Sequence, residues 1–233
     1  HTRMMSYTFN QLLTWGRSFG SHSVDALLGH EFYDRQYRSL GAGKQNIVDG
    51  IDELDPAAIL YAASSYSTEY AVESWFGRAN YNYDDKYYFS ASFRRDGSSR
   101  FYKDNRWGSF WSIGGNWRVS EEKYMQNIKW IDMLKIRAAI GLSGNNRIDN
   151  DMWRQLYAIN TTGGPGFGET TLYGEQYYGN AGGSKFTNRD IKWETTITRN
   201  IAADITLFGG RLTVTPEFYW YTTKDLLYKS DIP

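Results

Sequence analysis

Seven polar or charged residues stand at alternate positions in segments that are otherwise mostly apolar. They are Arg78, Asn80, Arg94, Lys135, Arg137, Asp204 and Glu217. Because successive side chains of a β-strand point to opposite faces, this spacing predicts that these groups share one face of a sheet. Buried without partners, each group would cost several kcal/mol, whereas facing water it costs little. The pattern therefore predicts a wet face that lines an aqueous path or contacts another protein segment.

Five aromatic residues lie among glycines in the long segment between residues 143 and 190. They are Tyr157, Phe167, Tyr173, Tyr177 and Tyr178. Aromatic rings offer a large apolar surface that can stack on sugar faces or on a partner protein. A loop that packs on its own aromatic side chains is the alternative. The residues are therefore candidate contacts for a ligand or for a partner that covers the loop.

The residues typical of catalysis and metal binding do not form a recognisable set. The chain has no cysteine, which excludes disulfides, thiolate zinc sites and thiol nucleophiles. His22 and His30 lack the spacing of paired metal ligands, and the adjacent acids Glu121 and Glu122 would face opposite ways on a strand. Residues 145–151 offer oxygen ligands, but their spacing fits no known calcium loop and favours a solvated outer loop. We therefore expect no enzyme, no catalytic residue, no metal and no cofactor.

Composition indicates a chain rich in extended structure and in aromatic side chains. The 233 residues carry a formal net charge of zero, which gives no support for nucleic-acid binding. Aromatic residues make up 17% of the chain, which suits the aromatic girdles of a membrane barrel or a sugar-binding surface. No run of about 18 apolar residues is present, so the sequence predicts no transmembrane helix.

About eight segments alternate apolar and polar residues, and they are joined by tight turns and long connections. The long connections are predicted at about 38–69, 95–108 and 143–190. Alternating runs of about 10 residues match membrane-spanning strands, whereas soluble strands usually have about 5 or 6 residues. The pattern predicts an all-β fold, the antiparallel up-and-down wall of a transmembrane β-barrel. Its apolar face would contact lipid, and its polar face would line the lumen.

A soluble carbohydrate-binding β-sandwich is the alternative that the same alternation allows. In a sandwich the polar residues face solvent and the apolar residues of two sheets fill a closed core. The two folds therefore place Trp111, Ile136 and Ile205 differently. A barrel wall leaves these side chains on an open face, and a sandwich seals them inside the protein.

Seven segments of the chain carry familiar motifs: Phe76–Tyr87, Arg94–Phe101, Ser112–Glu122, Leu134–Arg137, Gly141–Asn146, Trp193–Thr196 and Thr223–Leu227. Taken in this order, they resemble the barrel of the SusC/RagA family of TonB-dependent outer-membrane transporters. The resemblance covers most of the chain from about Leu28 onward. Each motif alone is weak, but their common order makes the resemblance specific.

The resemblance implies a barrel of about 22 strands with a plugged lumen, in the outer membrane of a Gram-negative, Bacteroidetes-type bacterium. It implies TonB-driven import of a large nutrient, either an oligosaccharide or a peptide. A SusD-like lipoprotein would cap the barrel as a lid, and outer-membrane lipid would contact the apolar face. The polar side chains would line the transport path or contact the plug.

Within such a transporter, residues 1–233 are expected to form only part of the barrel domain. The sequence has neither a plug-domain pattern nor a signal peptide, and its eight predicted strands are too few to complete the barrel. We therefore expect TonB to act through an N-terminal part outside this chain.

Overall fold

The structure is a computed structural model that describes residues 1–45, 59–154, 156–158, 175–177 and 188–228. The strands are β1 (Thr2–Phe19), β2 (His22–Gln45), β3 (Ile59–Tyr83), β4 (Tyr87–Ser98), β5 (Trp107–Arg118), β6 (Ile131–Asn145), β7 (Leu156–Ala158), β8 (Glu175–Tyr177), β9 (Glu194–Leu207), β10 (Leu212–Val214) and β11 (Glu217–Lys224). A short 3-10 helix, Val119–Glu121, follows β5. Among the described residues, no helix combines the length and the hydropathy of a membrane span.

One antiparallel sheet contains nine of these strands. Its order is β1-β2-β3-β4-β5-β6-β9, and both β10 and β11 pair with the far side of β9. Strands that are neighbours in the sheet are thus also neighbours along the chain, apart from the small β7–β8 ribbon. This confirms the predicted up-and-down wall. Within the described part of the chain the sheet stays open, because β1 pairs only with β2 and β10 and β11 only with β9.

Cross-strand partners place the predicted apolar residues on one face, here called the apolar face. One row of directly opposed residues runs across the sheet through Leu28, Gly77, Phe93, Trp111, Leu142 and Ile197. Trp111 and Ile136 each keep 38% of their surface exposed, and Ile205 is half-buried. The sandwich alternative is therefore wrong for the described residues, because no second sheet covers this face.

The strands at the long-loop end extend further than the alternation predicted. The connection predicted at 38–69 is mostly strand, since β2 continues to Gln45 and β3 already begins at Ile59. The connection predicted at 95–108 also begins and ends inside strands, whereas the one predicted at 143–190 begins inside β6 and ends before β9 starts at Glu194. Alternation marks only the part of a strand whose two faces meet different surroundings. A 25-residue strand such as β3 spans ~80 Å, well beyond a hydrocarbon layer of ~30 Å, so its outer part carries no such pattern.

The opposite end of the sheet, here called the short-turn end, is closed by tight hairpins. Asp84 and Asp85 join β3 to β4, and both have a φ of 53°. Positive φ at both central residues is the type I′ geometry that matches the twist of paired strands. The Lys86 ammonium lies 2.9 Å from the Asp84 carboxylate, and this hydrogen bond is the main reason that the pKa of Lys86 is raised.

The chain after β5 folds back onto the short-turn end through Glu122. Its carboxylate accepts hydrogen bonds from the Tyr87 hydroxyl at 2.5 Å and from the Trp117 indole at 3.1 Å. These two donors, Tyr87 first, hold the pKa of Glu122 below its usual range. The Tyr87 and Trp117 rings stack with their centroids 6.4 Å apart. The segment is thus attached to an aromatic belt of the kind that marks membrane interfaces.

The predicted last strand is interrupted at a proline. It forms β10 and β11, with Pro216 between them. Proline has no backbone N–H for the sheet, but its carbonyl still accepts a bond from the Ala203 amide at 3.1 Å. Despite the interruption, β10 and β11 therefore pair one after the other along the same edge of β9.

The buried hydrophobic cluster of the described residues lies at the long-loop end, where β5 and β6 meet the connections between strands. Phe101, Phe110 and Trp193 are buried, and Leu142, Ile148 and Ile191 pack against them. The Trp193 ring lies 5.3 Å from the Phe101 ring and 5.2 Å from the Phe110 ring, centroid to centroid. This cluster joins the β4–β5 connection to the segment that enters β9. We call it the rim core.

The rim core predicts a steep cost for adding volume at Gly144. A Cβ there would overlap the Phe110 ring, whereas one at Gly115 on the same sheet would find only the Tyr88 carbonyl, 3.7 Å away. Gly144→Ala in the full-length protein should lower the local opening free energy of residues 99–106 by ~1–3 kcal/mol. Hydrogen exchange measures this as faster amide exchange, and Gly115→Ala is the matched control. Unchanged exchange in Gly144→Ala would contradict the described packing.

Candidate functional site: the long-loop rim and the polar face

The long-loop rim consists of residues 98–106, 146–154 and 188–193, which fold together above β3 to β9. The Arg100 guanidinium connects its parts. Arg100 Nε donates to Asn150 Oδ1 at 3.0 Å, and its Nη1 donates to the Asn146 carbonyl at 3.1 Å. The same guanidinium lies 4.2 Å from the centre of the Tyr70 ring. A single cation thus holds two parts of the rim against the outward extension of β3.

Asparagine and tryptophan side chains complete these connections. The Asn146 amide donates to the Tyr70 hydroxyl at 3.0 Å, and the Asn150 amide donates to the Glu69 carbonyl at 3.1 Å. The indoles of Trp153 and Trp193 donate to backbone carbonyls of the β4–β5 connection, at 3.2 and 2.9 Å. The prediction that 145–151 is a solvated loop is therefore wrong for Asn146 and Asn150. Their amides replace water with partners in the protein.

A polar pocket of about 320 Å³ lies between the rim and the outward extensions of β2 and β3. Side chains of both charge signs line it, including Asp34, Arg106, Asp151 and Arg154, with Trp153 as an aromatic wall. Asp34 Oδ1 and Arg106 Nε are buried and have no hydrogen-bond partner among the described residues. Because these two atoms are closed off from solvent, a ligand would meet the pocket through the other charged atoms of its lining, which carries both carboxylates and guanidinium groups. Among the described residues, no cluster of His, Asp and Glu suits a metal ion.

The seven residues predicted to share a wet face do share the face opposite the apolar one, here called the polar face. Lys135 is the direct cross-strand partner of Asp204, and Arg137 and Glu217 both register with Ala202. The Asp204 carboxylate lies 3.1 Å from both the Lys135 ammonium and the Arg137 guanidinium. This grouping leaves one acid between two bases, with their charges only partly exposed.

A second charged group on the polar face surrounds Arg94. Its guanidinium lies 2.6 Å from the Asp96 carboxylate and 3.5 Å from that of Glu31, and it donates to the Ser74 hydroxyl at 2.9 Å. It also lies over the Phe76 ring, 5.2 Å from its centre. These contacts hold the guanidinium in one orientation, and its remaining positively charged surface faces the solvent on the polar face.

The remaining predicted polar residues form smaller pairs. Arg78 Nε donates to Asn80 Oδ1 at 3.2 Å, and the Asn200 amide donates to Glu217 Oε1 at 3.2 Å. The polar face is therefore a series of local hydrogen-bonded groups and not one cluster. That these residues line a lumen stays a prediction.

The predicted aromatic contacts fall mostly outside the described part of the chain. Tyr157 lies in β7 and Tyr177 in β8, and these two short strands pair with each other. Phe167, Tyr173 and Tyr178 lie outside the described residues. Sequence reasoning missed Arg100 and the rim core, and it assigned Asn150 to a solvated loop. A usable signal was the concentration of Asn, Arg and Trp immediately beyond the predicted strand ends.

Comparison with known proteins is consistent with this architecture. The family model described as "TonB dependent receptor-like, beta-barrel" matches residues 2–233. The TonB-dependent receptor SusC of Bacteroides thetaiotaomicron is 31% identical over 97% of this chain, and the TonB-dependent receptor P26 of Formosa agariphila is 36% identical over 91%. These matches span 22% and 21% of the two relatives' own lengths. The chain thus corresponds to about a fifth of each relative.

Solved structures give the same result. The structure of the RagAB peptide transporter superposes on this chain with a TM-score of 0.85 and 28% identity, covering 100% of this chain and 25% of that one. A RagAB peptide importer structure in an "open-open" state gives a TM-score of 0.84 at 27% identity. The relatives are receptors and transporters and not enzymes. The family match over nearly the whole chain, together with these relatives, establishes that the chain belongs to the TonB-dependent receptor-like β-barrel family, in its SusC/RagA-like branch.

Proposed function

We propose that the full-length protein is a TonB-dependent importer in the outer membrane of a Gram-negative bacterium of the Bacteroidetes type. The observation that carries this proposal is that the open sheet has two different faces, in a chain that belongs to this receptor family. One face exposes large apolar side chains, and the other carries grouped charges. In a membrane barrel these faces would meet lipid and the aqueous lumen respectively. Arg78, Asn80, Arg94, Lys135, Arg137, Asp204 and Glu217 would then line the transport path or contact the plug.

The rim would form part of the outer vestibule, where cargo arrives. Extracellular loops are the long ones in outer-membrane barrels, and the rim is built from the long connections of this sheet. A SusD-like lipoprotein would cover this end as a lid, and TonB would act on a part of the protein outside this chain. Tyr157, Phe167, Tyr173, Tyr177 and Tyr178 are proposed contacts of the cargo or the lid.

The cargo would be a large nutrient, either an oligopeptide or an oligosaccharide. The rim pocket favours the oligopeptide, because its lining carries both carboxylates, such as that of Asp151, and guanidinium groups, such as that of Arg154. An oligopeptide carries ammonium, carboxylate and amide groups that match both. A neutral oligosaccharide would meet these charged groups only with hydroxyls, which form weaker hydrogen bonds than ionic groups do.

Uptake of labelled cargo tests the proposal directly. Cells that express the full-length protein and its lid should accumulate fluorescent oligopeptides, and a protonophore should abolish the accumulation because TonB draws on the inner-membrane energy supply. A strain lacking the gene is the control, and labelled oligosaccharides form the second arm. Accumulation of oligosaccharides alone would overturn the peptide preference. Energy-independent accumulation, or none of either cargo, would overturn import.

A rim variant links the described contacts to this function. Arg100→Gln removes the cation that joins Asn146 and Asn150 to the Tyr70 ring, and hydrogen bonds to charged groups contribute ~1.5–3 kcal/mol. Partial exposure of Arg100 favours the lower end of that range. We expect faster hydrogen exchange at 146–154 and slower uptake in this variant, whereas Arg147→Gln, an exposed neighbour, should behave as wild type. Equal exchange and uptake in both variants would contradict a structural role for Arg100 at the vestibule.

A further inference from the structure

The apolar face is not smooth, because a groove of about 1010 Å³ crosses β2 to β5. Gly77 and Ala79 leave its floor low, and Leu28, Phe93 and Trp111 form its sides. Phe93 and Trp111 are 52% and 38% exposed, so no described residue covers the groove. Its lining is almost wholly apolar, which suits a hydrocarbon chain and not a polar solute.

The groove ends beside a guanidinium at the border of the apolar face. Trp75 closes the groove toward the long-loop end, and Arg95 is its direct cross-strand partner on the same face. The Arg95 guanidinium lies 5.5 Å from the centre of the Trp107 ring. Among the described residues Arg95 forms no ion pair, and the nearby Glu73 instead faces His30 at 3.4 Å and accepts from Trp75.

The same arrangement recurs further along the sheet. A second groove of about 450 Å³ lies over Gly115 and Ala138, between Ile113 and Trp220, and Arg199 stands on its lining. Arg199 likewise lacks an ion pair within the described part of the chain. Two separate apolar grooves thus each have an unpaired guanidinium at one end.

The two arginines lie at similar height if the sheet stands in a membrane. A row of directly opposed residues runs from Arg199 through Ile140 and Ile113 to Ala91 on β4. Arg95 lies four residues beyond Ala91 along β4, toward the long-loop end. Arg95 and Arg199 are thus three strand spacings apart across the sheet, which is ~14 Å, and four residues apart along the strands, which is ~13 Å. Barrel strands tilt by roughly 35–45°, which brings such a pair to about the same depth. On β9 the apolar row continues two residues beyond Arg199, at Ile197, so Arg199 lies just inside the long-loop border of the apolar face.

We propose that this face binds a phosphate-bearing glycolipid of the lipid A class in the outer leaflet. Its acyl chains would lie along the two grooves, and its phosphate groups would accept hydrogen bonds from Arg95 and Arg199. Guanidinium groups bind phosphate bidentately, and a cation at the hydrocarbon border is stabilised by an anionic head group. A lipid with several chains and more than one phosphate matches two grooves and two cations better than a phospholipid with one phosphate. The site rests on the proposed membrane orientation but not on the identity of the cargo.

Native mass spectrometry of the delipidated full-length protein in detergent, titrated with diphosphoryl lipid A, tests the site. The double variant Arg95→Gln and Arg199→Gln should bind lipid A about tenfold more weakly, a loss of ~1.4 kcal/mol. Arg17→Gln alters an arginine on the same face near the short-turn end and should bind as wild type. The double lysine variant keeps both charges and should recover part of the affinity. Lipid A lacking phosphate should bind the wild type as weakly as the double glutamine variant binds lipid A.

Two outcomes would overturn the site. The first is undiminished lipid A binding by the double glutamine variant, and the second is equal binding of phosphatidylglycerol and lipid A by the wild type. If the glutamine variant does not fold, Ala79→Phe, which fills the first groove and leaves both arginines in place, must weaken lipid A binding instead. Cargo binding measured on the same samples separates the two proposals. A variant that loses lipid A binding but still binds cargo bears on the lipid site alone and not on the proposed import function.

Discussion

Backbone hydrogen bonding between strands is the constraint on which the rest of this structure depends. A strand that crosses hydrocarbon cannot leave its N–H and C=O groups unpaired, so each strand must be bonded along both edges. The strands from β2 to β9 meet this requirement with few irregularities, near Gly43 and Ile131. Because their register opposes apolar residues with apolar residues on every strand, it also produces the two faces. The exposed edges of β1 and of β10 and β11 are where further strands of a barrel would pair.

The spacing of residues predicted the membrane-spanning part of the fold well. Alternation along β4 placed Phe89 and Phe93 opposite Ser90 and Arg94, and the register confirms that division. It did not predict that β2 and β3 continue far beyond the apolar rows, because a strand with solvent on both faces carries no alternating pattern. Backbone pairing extends that hairpin, and ring contacts of Tyr33 with Tyr70 and of Tyr37 with Tyr66 cross it.

The rim was harder to predict than the sheet, for a physical reason. Its contacts join residues distant in sequence, such as Arg100 with Asn150 and Trp193 with the Arg106 carbonyl. Side-chain-to-backbone bonds of this kind have no periodicity, so spacing cannot reveal them. Under the two proposals, the grouped charges and the polar pocket would serve cargo, and the grooves of the apolar face with their nearby arginines would serve lipid.

The central claim is that one face of this sheet meets hydrocarbon and the other meets water. The chain has no cysteine, so a single nitroxide label can be attached at Ile201 or at Thr198 in a full-length protein cleared of other thiols and reconstituted in lipid. The ratio of collision rates with oxygen and with a water-soluble nickel chelate tests the claim most directly. A label at Ile201 should show a high ratio of oxygen to nickel accessibility, and a label at Thr198 should show a low one. Equal ratios at the two sites, or the reverse order, would contradict it.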